Sequence, residues 1–128
     1  MKTARVLIID DNDLNIQLTS FVLDHAAFCV ETATDCSDGL QKIADFEPDL
    51  ILLDIQMPDM DGVALTRRLK SCPSTRHIAV VAFTAYAMKG DERRMRKAGC
   101  DGYISKPIDV RTLADQVRGY CASTAQAN

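Results

Sequence analysis

The sequence contains no apolar run long enough to cross a membrane and no segment that resembles a signal peptide. It also lacks an excess of positive charge, because 15 lysine and arginine residues stand against 18 aspartates and glutamates, for a formal net charge of −3. An acidic balance of this kind argues against a nucleic-acid-binding surface. We therefore expect a cytoplasmic protein that binds neither a membrane nor a nucleic acid directly.

Paired cysteines are absent as well, since no two of the five cysteines form a Cys-x-x-Cys pair. An odd number of widely spaced cysteines is typical of reduced thiols, rather than of disulfides or a zinc site. The chain has no internal repeat and no low-complexity segment, and a length of 128 residues suits one domain. We assign residues 1–122 to that domain and the small, polar residues 123–128 to a short flexible tail.

The chain alternates five times between a short strand-like run and a segment with helical periodicity. The run 50–53 (LILL), for example, has four aliphatic residues in succession, which is typical of a strand buried on both faces. Such alternation predicts an α/β fold, a doubly wound parallel sheet with helices on both faces. For five strands and five helices in one short domain we expect the flavodoxin-like strand order 2-1-3-4-5, whose switch point lies between the first and third strands. The five runs are 5–9, 28–33, 50–54, 78–83 and 102–105.

The helical segments differ in how they should attach to the sheet. Asn12 or Asp13 can cap the first helix. Its predicted buried face is a stripe with helical spacing, made of Leu14, Leu18, Phe21 and Val22. The fourth helix, at 88–98, is rich in charge and has few apolar residues to anchor it, so we expect it to be weakly held. We interpret its basic residues as a solvated face rather than as a site for an acidic partner: Arg93, Arg94, Arg96 and Lys97. Asp109 is expected to cap the fifth helix.

Polar side chains stand where four of these strands end. Asp10 and Asp11 follow the first strand, and Asp54 ends the third. Thr84 ends the fourth strand, and Lys106 follows the fifth. Because the carboxyl ends of parallel strands share one edge of a sheet, we expect these groups in a single crevice. Each of these residues alone has an ordinary explanation as a cap, a turn residue or a surface charge, but suitable polar groups at four strand ends together do not.

Together these groups are chemically suited to one ligand. Three neighbouring carboxylates repel one another unless a cation lies among them, and an all-oxygen ligand set with open positions suits Mg²⁺. The Thr84 hydroxyl and the Lys106 ammonium group can bind an oxyanion. The combination predicts phosphoryl transfer, with Asp54 as the nucleophile.

Four segments of the chain together resemble the receiver domains of two-component response regulators, which have the CheY-like form of this fold. These segments are 6–12 (VLIIDDN), 54–62 (DIQMPDMDG), 84–85 (TA) and 106–107 (KP). The resemblance covers nearly the whole chain, and 83–108 is especially similar to single-domain regulators of bacterial cell-cycle signalling. It implies a phosphoprotein of a bacterial phosphorelay, in which Asp54 accepts a phosphoryl group from a histidine kinase or a histidine phosphotransfer protein. Such a protein catalyses only its own phosphorylation and slow autodephosphorylation, so we do not expect an enzyme.

The resemblance also implies a role for each matching position at the phosphorylation site. Four groups would hold Mg²⁺, or Mn²⁺ in its place: the carboxylates of Asp10, Asp11 and Asp54 and the backbone carbonyl of Gln56. Lys106 would pair with the phosphoryl group, and the peptide bond between Lys106 and Pro107 is expected to be cis. Gln56 and Tyr86 occupy the two positions that tune the lifetime of the phosphate in this family.

The family's switch would involve Thr84 and Tyr103. The Thr84 hydroxyl would move toward the phosphate while the Tyr103 ring turns inward, so that phosphorylation shifts the population between two states. The output to a downstream protein would pass through the fourth helix, the fifth strand and the fifth helix. The protein would be a monomer or a phosphorylation-dependent dimer.

Three alternatives remain open at this point. The chain could be a receiver excised from a hybrid histidine kinase or a longer regulator, although its starting Met and its lack of an output segment favour a free-standing receiver. An aspartate-nucleophile phosphatase of the haloacid dehalogenase type is less favoured, since it needs a second aspartate where this chain has Gln56. An FMN binder is disfavoured because Asp10 and Asp11 would repel the FMN phosphate.

Overall fold

Five parallel strands form one sheet in the order β2-β1-β3-β4-β5, which confirms the fold class predicted from the sequence. The computed structural model describes residues 3–55, 62–84, 89–105 and 108–126. The strands are β1 (Arg5–Ile9), β2 (Cys29–Ala33), β3 (Leu50–Asp54), β4 (Ala79–Thr84) and β5 (Gly102–Ser105). The helices are α1 (Asp13–His25), α2 (Cys36–Phe46), α3 (Gly62–Ser71), α4 (Lys89–Ala98) and α5 (Leu113–Gln126). No helix within these residues has both the length and the apolar composition that a membrane span requires.

The sheet carries one hydrophobic core on each face. Leu7 of β1 and Ile51 of β3 belong to the core beneath α2, α3 and α4, and both are fully buried. Val6 and Leu50 point to the other face and belong to the core beneath α1 and α5. Strands that are buried on both faces need apolar residues at every position, which explains the uninterrupted aliphatic runs of the sequence. The pairing of Val6 with Leu50 also brings the ends of β1 and β3 to the same level.

The buried face of α1 differs from the prediction. Leu14, Leu18 and Phe21 are 73%, 41% and 61% exposed. Thr19 is fully buried instead, and of the predicted stripe only Val22 packs against the core. The prediction was wrong because α1 has apolar residues on more than one side, and the more aliphatic stripe is not the one that meets the sheet. Helix α1 therefore exposes an apolar patch made of Leu14, Leu18 and Phe21, which we call the α1 surface.

The ends of three helices follow the capping rules. Asn12 caps α1, because its side chain accepts a hydrogen bond from the Asn15 amide at 3.0 Å. Asp35 caps α2 in the same way. Gly99 follows the end of α4 with a φ of 106°, a left-handed backbone that glycine adopts without strain. These caps set where each helix begins or ends relative to the strands.

Helix α5 begins later than predicted. Asp109 accepts a hydrogen bond from the Arg111 amide at 2.9 Å and caps a turn, and the helix itself starts at Leu113. The helix then continues to Gln126, so residues 123–126, which we had placed in a flexible tail, are helical in their backbone. The division of the chain at residue 122 stays a prediction.

At the outer edge of β2, side chains bind the backbone of Thr32. Lys42 of α2 donates a hydrogen bond to the Thr32 carbonyl, and the Thr32 amide donates to Oε1 of Glu31 at 3.0 Å. Lys42 also forms ion pairs with Glu31 and Asp38, at 3.6 and 3.5 Å. Both backbone groups of Thr32 therefore have side-chain partners.

Two aspartates at the amino edge of the sheet bind the beginnings of neighbouring strands. Oδ2 of Asp49, just before β3, accepts a hydrogen bond from the Arg5 amide of β1 at 2.8 Å. Oδ2 of Asp101, just before β5, accepts one from the Val80 amide of β4 at 2.8 Å. Asp101 also forms an ion pair with Nζ of Lys70 at 2.7 Å. These contacts join β3 to β1, and β5 to both β4 and α3.

Candidate functional site

Three carboxylates meet at the carboxyl edge of the sheet, between β1 and β3. Asp10 and Asp11 follow β1, and Asp54 is the last residue of β3. Because Ile9 pairs with Leu53, the next residues of the two strands lie side by side. Each of the three carboxylates offers one oxygen atom, and these three atoms lie within 4.8 Å of one another. The strand order thus brings together the acidic residues that the sequence placed at separate strand ends.

Local hydrogen bonds orient Asp10. Its amide donates to the Ala33 carbonyl of β2 at 3.1 Å, which extends the pairing of β1 with β2 by one residue. Its Oδ1 accepts a hydrogen bond from the Asn12 amide at 2.9 Å, in a turn that aspartate side chains favour. Since Asn12 is also the N-cap of α1, that helix begins beside the carboxylates. The positive end of the helix dipole favours negative charge at this place.

The burial of the cluster bears on what it can bind. Asp10 and Asp54 are 1% and 5% exposed, whereas Asp11 is exposed. Buried carboxylates next to a third are costly, because like charges repel more strongly away from water. A divalent cation removes that cost, and a donor set made only of oxygen atoms is the preference of Mg²⁺. The residues present therefore fit a partly hydrated Mg²⁺ ion, and no other cluster of metal-ligating side chains occurs in the part of the chain that the structure describes.

Thr84 lies on the strand next to Asp54. Asp54 pairs with Phe83 of β4, and Thr84, the next residue, ends that strand and is 3% exposed. Thr84 in turn pairs with Ser105 of β5, the residue directly before Lys106. The strand ends that carry the predicted phosphoryl-binding residues therefore lie on the same edge as the acidic cluster.

Four of the predicted site residues lie outside the described residues: Gln56, Tyr86, Lys106 and Pro107. Gln56 follows the end of β3 by two residues, and Lys106 directly follows β5, so the strands before them do end at this edge. Their roles in metal binding, phosphate lifetime and phosphoryl binding stay predictions, as does the cis peptide bond.

Tyr103 is half-buried on β5, where it pairs with Ala82 of β4 and packs against the core beneath α4. The guanidinium carbon of Arg96 lies over its ring, 5.8 Å from the centroid, which is within the range of cation–π contacts. We predicted that the basic residues of α4 form a solvated face, and Arg96 is indeed exposed, but it also makes this specific contact. Helix α4 and the predicted switch residue are thus in direct contact.

Two features of the site region were not predicted from the sequence. The α1 surface begins on the first turn of the helix that starts beside Asp11. The sequence shows the helical spacing of its apolar residues but not that they are exposed to solvent. The contact of Tyr103 with Tyr120 of α5 joins residues 17 positions apart, for which no local pattern gives a signal.

Comparisons of the sequence and of the structure with known proteins all point to the same family. The family model of the response regulator receiver domain matches residues 6–118. The polar-differentiation response regulator DivK of Brucella ovis is 40% identical over 118 residues, which cover 92% of this chain and 96% of that relative. The crystal structure of a CheY-like response regulator receiver domain protein from Methanospirillum hungatei JF-1 has a TM-score of 0.90 at 28% identity, covering 99% of this chain and 100% of that one. The signal receiver domain of a histidine kinase from Syntrophus aciditrophicus has a TM-score of 0.84 at 29% identity, covering 94% and 92% of the two chains.

The matched region extends from β1 into α5 and includes the strand ends that carry the acidic cluster. The similarity to DivK and the match to the family model confirm the resemblance to receiver domains that the sequence predicted. On the evidence of its strand order, its three converging carboxylates and these matches, the chain belongs to the response regulator receiver domain family of two-component signalling.

Proposed function

We propose that this chain is a single-domain response regulator of a bacterial phosphorelay in the cytoplasm. It accepts a phosphoryl group from a histidine kinase or a histidine phosphotransfer protein onto Asp54, in a Mg²⁺-dependent step, and then changes conformation to regulate a downstream protein. The observation that carries the proposal is the group of three carboxylate oxygens within 4.8 Å at the edge of the sheet. The name of its Brucella relative, a polar-differentiation response regulator, supports the regulatory part.

Asp54 is the nucleophile of this proposal. One of its carboxylate oxygens attacks the phosphorus of a phosphohistidine, so that an O–P bond forms while the N–P bond breaks and its electron pair leaves with the histidine nitrogen. As the last residue of a fully buried strand, Asp54 has a fixed backbone, which orients the attacking oxygen. Its low exposure of 5% also limits the access of water to the acyl phosphate, in keeping with slow autodephosphorylation.

The charged residues around Asp54 would prepare the site for the phosphoryl group. Four groups would hold Mg²⁺ or Mn²⁺: the carboxylates of Asp10, Asp11 and Asp54 and the Gln56 carbonyl. When bound, the cation supplies charge neutralisation for the phosphoryl oxygens. The Asn12 amide keeps Asp10 in its orientation. Lys106 would pair with a phosphoryl oxygen, and the Thr84 hydroxyl would donate a hydrogen bond to another.

The conformational change follows from these contacts as a shift of population. The new hydrogen bond draws Thr84 toward the phosphate, and the Tyr103 ring turns inward, which favours the active state of the surface made by α4, β5 and α5. The downstream protein binds this surface, and the regulator itself acts as a monomer or as a phosphorylation-dependent dimer. Arg96 of α4 already contacts the Tyr103 ring, which supports a connection between the switch residue and this surface.

The phosphodonor protein would dock on the α1 surface. A donor histidine must approach Asp54 closely, and the α1 surface begins on the first turn of the helix that starts beside Asp11. Its three apolar side chains are at least 41% exposed and lie one helical turn apart, and such grouping supports a protein partner. Apolar contacts of this kind suit a transient partner whose own surface presents apolar side chains.

Mass spectrometry of the intact protein after incubation with Mg²⁺ and acetyl phosphate tests the proposal. We expect the gain of one phosphoryl group by the wild-type chain, and no gain after chelation of the metal or in Asp54→Asn. Asp24→Asn is the matched control, because Asp24 is an exposed aspartate of α1 outside the acidic cluster. Undiminished phosphorylation of Asp54→Asn would contradict the assignment of the nucleophile.

The same assay with a phosphorylated histidine phosphotransfer protein as donor tests the docking surface. Leu18→Asp should slow transfer from the protein donor by about tenfold, the equivalent of ~1.4 kcal/mol, because it places a charge in the apolar contact. Labelling by acetyl phosphate, which needs no docking, should not change. Equal slowing with both donors would show that Leu18 acts on the site itself and not on docking.

A further inference from the structure

Tyr120 of α5 binds the backbone of Tyr103. The Tyr103 amide donates a hydrogen bond to Oη of Tyr120 at 3.4 Å, and the Tyr120 hydroxyl donates one to the Tyr103 carbonyl at 3.3 Å. In a strand, the N–H and C=O groups of one residue point to the same side, and β5 is the last strand of the sheet. One hydroxyl group thus binds both backbone groups of the predicted switch residue at the outer edge of β5.

The ring of Tyr120 is seated on Gly102, the residue before Tyr103. A Cβ atom at position 102 would lie 2.2 Å from Cε1 and 2.3 Å from Cζ of Tyr120, which is far closer than real contacts. Because glycine has no Cβ, the ring can approach the β5 backbone and bring its hydroxyl to Tyr103. Gly102 and Tyr120 are therefore matched in shape, and the match fixes where the hydroxyl lies.

The side chain of Tyr103 is held from a different helix. Arg96 of α4 lies over its ring, so the backbone of Tyr103 is bound to α5 while its ring contacts α4. A surface cavity of about 520 Å³ lies between these side chains, with Cys100 and Asp101 completing its walls. The cavity adjoins both tyrosine rings on their solvent side, while each ring also packs against a hydrophobic core.

We propose that Tyr120 is a positioning residue for the switch: its hydroxyl holds Tyr103 in the arrangement of the unphosphorylated protein. This step rests on the proposed function, in which the Tyr103 ring turns inward on phosphorylation. Both hydrogen bonds are longer than the usual range of about 2.7–3.2 Å, so each is weak and can be released at small cost. The Tyr120 contacts therefore set the balance between the two states of Tyr103 and do not lock either of them.

Tyr120→Phe tests this role, because it keeps the ring on Gly102 and removes only the hydroxyl. If the hydroxyl stabilises the unphosphorylated arrangement, as proposed, its loss moves the equilibrium toward the phosphorylated one and the phosphoryl analogue binds more tightly. With beryllofluoride and Mg²⁺ as the probe, we expect the half-saturating concentration to fall by about threefold, which corresponds to the low end of the net strength of a hydrogen bond.

The second readout follows Tyr103 directly. The chain has three tyrosines and no tryptophan, so labelling with 3-fluorotyrosine gives three ¹⁹F resonances, of which Tyr120→Phe removes one. Before any analogue is added, the Tyr103 resonance of the variant should be shifted toward its position in the beryllofluoride-bound wild type. A residue with only a structural role would lower the melting temperature without this shift.

Gly102→Ala displaces the ring from the opposite side and should reproduce the effect of Tyr120→Phe. The double variant should add nothing further, because both changes remove the same contact. Arg96→Ala should also tighten beryllofluoride binding, whereas Lys97→Ala, an equal change of charge on the same helix, should not. Additive effects of Gly102→Ala and Tyr120→Phe would contradict the shared contact.

The possible outcomes separate the two proposals. If wild type responds to beryllofluoride and Tyr120→Phe has the same half-saturation and the same Tyr103 resonance, the positioning role is wrong and the proposed function stands. If wild type shows no response to beryllofluoride with Mg²⁺, the proposed function is wrong, and the role of Tyr120 in it is wrong as well.

Discussion

Aspartates at the two edges of the sheet differ in whether another carboxylate lies beside them. At the amino edge, Asp49 and Asp101 each accept a hydrogen bond from a backbone amide of a neighbouring strand, and Asp101 also binds Lys70. At the carboxyl edge, three carboxylates lie within 4.8 Å of one another. Carboxylates beside donors stabilise the fold, whereas carboxylates beside each other create a site for a cation. These residues are all aspartates, so it is their neighbours that decide whether a carboxylate stabilises the fold or contributes to a cation site.

The largest expected effect on stability is at the amino edge. Asp101→Ala removes the acceptor of the Val80 amide and the partner of Lys70, and we expect it to lower the free energy of unfolding by about 2 kcal/mol. Most of this loss comes from the amide, because Asp101 is 35% exposed and a partly exposed ion pair contributes little. Urea denaturation measures the change.

Asp115→Ala is the control for that experiment. The Asp115 side chain is 81% exposed and pairs with Arg118 on the same helix, so its removal should change the free energy of unfolding by less than about 0.5 kcal/mol. Equal losses in the two variants would contradict the structural role that we give to the amino-edge aspartates.

At the carboxyl edge, removal of a carboxylate should raise the free energy of unfolding rather than lower it. In the absence of Mg²⁺, Asp54→Asn removes one of three neighbouring negative charges and should raise the free energy of unfolding by about 1 kcal/mol. Addition of Mg²⁺ should then stabilise wild type more than the variant, because the variant has lost one carboxylate ligand. Thermal unfolding with and without Mg²⁺ measures both changes. A variant that is less stable than wild type without metal would show that the cluster is not under electrostatic strain.

The smallest effect concerns a thiol near the amino edge. Burial, and then the charge of Asp49, raises the pKa of Cys121 from its ordinary 9.0 to about 11. The folded state therefore keeps a proton that the unfolded state loses, so the stability that this group contributes is complete below pH 9.0 and is lost as the pH rises toward about 11. Asp49→Asn removes the second cause and should lower the pKa of Cys121 slightly.

The rate of alkylation of Cys121 as a function of pH measures that shift. Cys72 is the internal reference, because it is exposed and the hydrogen bond with the Ser74 hydroxyl lowers its pKa. Cys72 should react first in wild type and in Asp49→Asn alike. A Cys121 profile that is identical in the two proteins would remove Asp49 as a cause of the raised pKa.

Much of this molecule follows from local patterns. The run 50–53 predicted a strand buried on both faces, and the pair Asn12 or Asp13 predicted the start of the first helix, because buried strands and helix caps impose strict requirements on nearby residues. The meeting of Asp10 and Asp54 followed from strand order, since carboxyl ends of parallel strands share an edge. These inferences needed only the chemistry of short segments and the rules of sheet topology.

The failures have a common physical cause, which is contact between distant parts of the chain. Helix α1 has two possible buried faces, and only the position of the sheet decides that Thr19 lies inside and Leu14 outside. Two contacts join residues that are 31 and 17 positions apart, Lys70 with Asp101 and Tyr103 with Tyr120. No periodicity in the sequence predicts either contact. Side-chain contacts between elements are therefore the part of the site that the sequence alone does not specify.

The side chains that bind the outer strands also bear on how the protein behaves in a crowded cell. Thr32 on β2 and Tyr103 on β5 each have both backbone groups engaged by side chains, so at these two positions the edge strands offer no free backbone groups to another strand. Side-chain contacts of this kind are one way in which proteins protect edge strands from pairing with other chains. At β5 this protection of the Tyr103 backbone depends on one side-chain group, the hydroxyl of Tyr120.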